Sequence, residues 1–130
     1  MIRFPDKKKM SKPFQLYSSD KLPTGFRYPE LLVHFSSTGE FPEIYPWWFI
    51  DATSKAGELS YSNRLKDGPH LIPFAKVDDD RNDIACFDGL DTTGDPKVLM
   101  RILDDSDRSY SYSNFEEWCK AAQVDADRFR

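Results

Sequence analysis

Histidine, cysteine and glycine are scarce in this chain, and each scarcity removes a class of chemistry. The only imidazoles are His34, within an apolar stretch, and His70, just after Gly68-Pro69. Neither stands beside a Ser, Cys or Asp in a nucleophile motif, so both read as packed or surface histidines and not as catalytic bases. The six glycines, at 25, 39, 57, 68, 89 and 94, are too scattered for a GxGxxG turn or a P-loop, which leaves no phosphate cradle. The two cysteines, Cys86 and Cys119, have no second Cys or His at metal-ligand spacing and read as buried thiols. Long apolar runs are missing too. The most apolar stretch, Ile44 to Ile50, is interrupted by Pro46, and the basic start MIRFPDKKKM has no apolar h-region behind it. The expectation is therefore no signal peptide, no membrane span and a cytosolic location. Internal repeats and low-complexity tracts are absent as well.

What is present suits one globular core: 130 residues, 39% hydrophobic and 15% aromatic. The net charge of −4, from 22 acidic and 18 basic residues, gives no general attraction to nucleic acid or anionic lipid. The charges are unevenly placed. Arg3, Lys7, Lys8, Lys9 and Lys12 crowd the start, whereas Asp78 to Asp107 holds ten Asp and three basic residues. Residues 1–21 show no steady periodicity and read as a basic, partly ordered arm, with the folded domain over 22–130.

Within that domain, Tyr28-Pro29-Glu30 starts a short helix, with Pro at the first helical position and Glu at the positive end of the dipole. Leu31, Leu32 and Phe35 form its expected buried face, and Gly39 marks a stop. The Trp-Trp-Phe-Ile end of Phe41 to Asp51 has the aromatic and β-branched content of a strand, which Pro42 and Pro46 push towards a sheet edge. Glu58 to Leu65 and Leu71 to Val77 are two further strand candidates, and Ile84 to Phe87 with Val98 to Leu103 are the clearest pair. Ser113 with Glu116 forms a capping box, predicting a helix from Asn114 whose Phe115, Trp118, Cys119 and Ala122 face the sheet.

Candidate sites are few. Asp78, Asp80 and Asn82 match the first three ligand positions of an EF-hand loop, but Asp83 replaces its glycine and Gly89 its bidentate Glu, so an acidic turn is the better reading. No cofactor or metal is expected. Asp78, Asp79, Asp80, Asp83, Asp88 and Asp91 are candidate partner-binding carboxylates, because Asp-rich loops clustered at one end of a sheet create a potential that steers a basic partner. Strand alternation sends Trp47 and Trp48 to opposite faces, one into the core and one partly exposed. Tyr45 and Trp47 are the candidate aromatic contacts.

Several short motifs carry a resemblance: Leu22-Pro23, Phe26-Arg27-Tyr28-Pro29 before an apolar helix, Pro46-Trp47, Leu71-Ile72-Pro73-Phe74-Ala75, Asp83-Ile84-Ala85-Cys86-Phe87, Pro96-Lys97-Val98 and Ser113-Asn114-Phe115-Glu116-Glu117-Trp118. Together they resemble the SUKH superfamily, which comprises bacterial immunity proteins and the fungal regulators of cell-wall synthesis, over residues 22–123. The resemblance implies a single-domain α+β fold, with a mixed, largely antiparallel sheet and helices packed against it, and no enzymatic activity. It also implies a protein toxin, often a nuclease, as the partner, neutralised by occlusion of its active surface. A regulatory protein-interaction scaffold like the fungal relatives is the alternative. The single Gly39 departs from the family's more glycine-rich pattern after the first helix, and no contact residue carries over from it.

Overall fold

A computed structural model describes residues 14–63, 68–79, 83–102 and 110–129. In chain order the elements are α1 (Glu30–Thr38), β1 (Trp47–Phe49), α2 (Lys55–Asn63), β2 (Leu71–Val77), β3 (Ile84–Asp88), β4 (Val98–Arg101), β5 (Ser111–Tyr112) and α3 (Phe115–Phe129). The strands lie side by side in sequence order, β1-β2-β3-β4-β5. Each pairs antiparallel with the next, so the sheet is antiparallel throughout its described strands instead of mixed. The proline-flanked β1 occupies an edge, as its sequence predicts.

Side-chain alternation divides the sheet into two faces. Trp47 and Phe49 of β1, Ala85 and Phe87 of β3, and Val98 and Met100 of β4 point to the helices, where they meet Leu32, Phe35, Phe115, Trp118, Ala122 and Ala126. Trp48, Ile50, Ile84, Cys86 and Leu99 form a smaller cluster of strand residues on the other face. In β2 a bulge between Pro73 and Ala75 shifts the register, and the extra residue lets Ile72, Phe74, Ala75 and Val77 all reach the helix side. Phe74 and Phe87 stack there at 4.2 Å between ring centres. Trp118 meets Phe74 and Trp47 edge to face at 4.9 and 5.3 Å.

The helices depart from the sequence reading in ways that local chemistry explains. α1 has Pro29 as its N-cap, so it begins at Glu30, one residue later than predicted, and ends at Gly39, whose φ of 75° lets its N–H donate to the Phe35 carbonyl. Of its expected buried face, Leu32 and Phe35 point inward, whereas Leu31 is 39% exposed. The strand expected over Glu58 to Leu65 is instead helix α2, as far as Asn63; Leu65 lies outside the described residues. Its start is set just upstream, where Ser54 Oγ accepts the Gly57 N–H at 3.0 Å and the Ser54 carbonyl accepts the Glu58 N–H at 3.0 Å. Gly57 is required by close approach: a Cβ there would stand 2.2 Å from the Asp51 carbonyl oxygen. In α3 the cap is Asn114 and not Ser113. Asn114 Oδ1 accepts the Glu117 N–H at 2.9 Å, and the helix begins at Phe115.

The folded unit also reaches back beyond Leu22. Tyr17 is 5% exposed and donates its phenol O–H to the Gly57 carbonyl at 2.6 Å. Phe14 packs on Phe41 at 4.6 Å, and the Gln15 carbonyl accepts the Ala52 N–H at 2.8 Å. Within the stretch read as a partly ordered arm, residues 14–17 therefore pack on the domain, Tyr17 against Tyr61 of α2 and Phe14 against Phe41. The basic cluster before them lies outside the described residues.

Candidate functional site

The register divides the acidic candidates between the two ends of the sheet. Lys76 pairs with Ile84 at one end of the β2–β3 ladder and Leu71 with Asp88 at the other, about 13 Å of strand away. Asp78, Asp79 and Asp83 belong to the first end, Asp88 and Asp91 to the second. They are not clustered at one end of the sheet, because an antiparallel hairpin returns the chain to where it started. Asp80 lies outside the described residues, as do Asp104, Asp105 and Asp107.

At the second end the carboxylates organise their own loop. Asp88 Oδ1 accepts the Leu90 N–H at 3.0 Å. Asp91 accepts the Thr93 N–H and O–H through Oδ1, at 3.1 and 2.7 Å, and the Lys97 N–H through Oδ2 at 3.2 Å. Those bonds to Thr93 hold the Asp91 carboxyl below its ordinary range. Asp95 Oδ2 accepts from Asn114 Nδ2 at 3.1 Å, tying the loop to the α3 cap. A groove of about 620 Å³ lies beside this loop, lined by Arg27 to Leu31, Thr93 to Asp95, Phe115 and Glu116. Arg27 donates to the Thr93 carbonyl at 3.1 Å, so its guanidinium bridges the groove's walls.

At the first end the residues differ in kind. Asp83 is fully buried and accepts the Tyr110 phenol O–H, while its carbonyl accepts the Val77 N–H at 3.1 Å. It closes the β2–β3 turn and offers no carboxylate to a partner. Arg101, also buried, stands opposite the neighbouring Ile84. Asp79 is half-buried. Trp47 is 4% exposed, so it is a core residue and not a surface contact; Trp48 is the half-exposed member of the pair. The Trp47 indole N–H donates to Asp125 Oδ2 at 2.9 Å, which fastens the edge strand to α3.

Tyr45 and Asp78 remain exposed, and the structure joins them. The Tyr45 phenol donates to Asp78 Oδ2 at 3.0 Å, and the Asp78 N–H donates to the Pro46 carbonyl at 2.7 Å. The carboxylate holds the phenol protonated above its ordinary pKa. Phe129 meets the Tyr45 ring edge to face at 5.1 Å and 65°. Both rings are about half exposed, at 53% and 54%. Phe129 and Asp125 escape a sequence reading that ends the α3 stripe at Ala122, although the helical spacing Trp118, Ala122, Asp125, Phe129 continues it.

Among the described residues, no three His, Cys, Asp or Glu side chains come together as a donor set, and no helix is long and apolar enough to cross a membrane. His34 is exposed on α1 and His70 is half-buried, its carbonyl accepting the Gly89 N–H at 3.0 Å. Compared with protein-family models, curated proteins and solved structures, the chain matches none. The resemblance to SUKH proteins rests on the short motifs alone.

Proposed function

We propose that this chain is a non-enzymatic binding protein of the immunity type, which neutralises a bacterial protein toxin in the cytosol by covering its active surface. The observation that supports this reading is the Tyr45, Phe129 and Asp78 patch. Two exposed aromatic rings meet edge to face beside the edge strand, and one of them, Tyr45, donates its phenol O–H to the exposed Asp78 carboxylate. Rigid aromatic side chains supply large contact area at little entropic cost and dominate interface energetics. Three segments remote in sequence hold the patch: the turn before β1, the end of β2 and the last turn of α3. A partner therefore meets a preformed surface, which reduces the ordering cost of association. The α+β architecture agrees with what the SUKH resemblance implies, and the net charge of −4 suits a partner with a basic groove, such as a nuclease.

The test is protection. Co-expression with the toxin gene encoded beside this one is expected to rescue growth, and the purified pair is expected to associate more slowly as salt rises, because screening weakens steering. Absence of any such gene, with no protection by this chain, would remove the immunity reading in favour of a regulatory scaffold.

A further inference from the structure

We propose that the Tyr45 and Phe129 patch is a socket for an arginine side chain of the protein partner, an inference that deepens the binding reading above and rests on it. Four features of the site favour a cation. The two rings present π faces and edges at the surface, and a guanidinium placed over such a ring is attracted by its quadrupole. Asp78 stands at the rim with its carboxylate oriented by the Tyr45 phenol, which occupies only one of about four acceptor positions. Asp125, half-buried and turned to the Trp47 indole, adds a second carboxylate one helical turn before Phe129. The site also lies at the C-terminal turn of α3, where the helix dipole is negative.

Arginine fits this arrangement better than lysine. Its planar guanidinium can stack on a ring while donating two parallel N–H groups to a carboxylate, whereas an ammonium offers only a strongly hydrated point charge. Among the described residues, the cations nearest the patch in sequence are turned elsewhere. Arg128, the basic residue of the last α3 turn, is about 100° round the helix from Phe129. Lys76 lies between Ala75 and Val77, which both face the core, and so belongs to the opposite side of the sheet. Phosphate is disfavoured by the two carboxylates.

The test titrates the full chain at low salt with the peptide acetyl-Gly-Arg-Gly-amide and with its citrulline counterpart, which keeps the shape and loses the charge. Amide resonances are followed together with the Trp47 indole N–H, a reporter within the site through its bond to Asp125. The arginine peptide is expected to shift Tyr45, Asp78, Phe129 and the indole. Affinity should fall about tenfold with citrulline, and about tenfold in Asp78→Asn or Phe129→Ser, while Phe129→Tyr retains it. Both variants change exposed positions, so a melting curve like that of the parent accompanies each. Equal shifts by the citrulline peptide, or shifts confined to the Arg27 to Glu116 groove, would overturn the socket. A neighbouring toxin that binds both variants as tightly as the parent would also overturn it and leave the immunity reading standing. Recognition of the peptide as expected, without protection against any toxin, would sustain the socket and remove that reading.

Discussion

Truncating the chain to begin at Asp20 should destabilise it severely, and the structure shows where the loss arises. The truncation removes Tyr17, which is 5% exposed, packed in a tilted contact 5.1 Å from Tyr61 and bonded through its O–H to the Gly57 carbonyl at 2.6 Å. It also removes the Tyr17 N–H that donates to the Tyr28 phenol at 3.2 Å, the Phe14 contact with Phe41, and the Gln15 carbonyl that accepts the Ala52 N–H. The single substitutions bracket the magnitude. Tyr17→Phe keeps the ring and loses a buried hydrogen bond, a cost of about 1 kcal/mol. Tyr17→Ala deletes a buried aromatic and leaves a cavity, for which roughly 3 to 5 kcal/mol is the usual range. The truncation should cost at least as much as Tyr17→Ala, a large share of the 5 to 15 kcal/mol or so that holds a typical domain together. Urea titration of the three variants beside the parent measures the series, with the slope of each transition checking that the same surface is exposed. Cooperative melting of the truncated chain within about 0.5 kcal/mol of the parent would refute the argument and return the domain boundary to Leu22.

Asn114→Ala should cost about 1 kcal/mol by removing the α3 cap, whereas Ser113→Ala should stay within about 0.5 kcal/mol; equal effects in urea would contradict the cap assignment. Burial and the nearby Glu116 push the Cys119 thiol up to about 12, and Cys86 is 0% exposed, so iodoacetamide at about pH 8 should label neither thiol in the native protein and both on unfolding. Fast native labelling of Cys119 would show that α3 does not pack as described. Asp91 has a folded pKa held below its unfolded value, so its contribution to stability is present above about pH 4 and is lost as pH falls through the folded pKa. Asp91→Asn should therefore flatten the acid limb of the stability profile, and an unchanged limb would exclude the loop bonds as its source.

Much of the fold was legible because short-range pattern decides it. Leu71 to Val77, Ile84 to Asp88 and Val98 to Arg101 carry the β-branched and aromatic content that marks them as strands, and prolines sent β1 to the edge. The misreadings arise where a neighbour outside the window decides. α2 owes its start to Ser54 and to Gly57 pressed against the Asp51 carbonyl, neither of which is visible in the alternation of Glu58 to Leu65. Nothing in the unperiodic stretch 1–21 marks Tyr17 as a core residue, because its partner at Gly57 is 40 residues away. The candidate site was the least legible, since Trp47 and Asp125 are separated by 78 residues and only the packing of α3 across the sheet brings it beside β1. The bulge between Pro73 and Ala75 does carry a local mark, because a proline inside a strand flanked on both sides cannot donate to the ladder and is tolerated at a bulge.

The acidic composition shows how the same residue type divides between fold and surface. Asp88 and Asp91 sit at turn positions where a carboxylate accepts backbone N–H groups two residues on, a role Asp fills because its short side chain reaches its own loop. Asp83 sits at the foot of β3, where its carboxylate is withdrawn from water and offset by the Tyr110 hydroxyl. Asp78 differs because its exposed carboxylate accepts from the Tyr45 phenol, which is itself exposed, and not from the N–H groups of its own loop. Counting ten Asp between 78 and 107 therefore overstates the negative surface that a partner meets. In the proposed socket, recognition would depend on the oriented Asp78 carboxylate, Asp125 behind it and two rings, so a partner selected by it would be chosen for the geometry of a cation more than for gross positive charge. Salt would then act mainly on the rate of encounter, while the lifetime of the complex would follow Asp78 and Phe129.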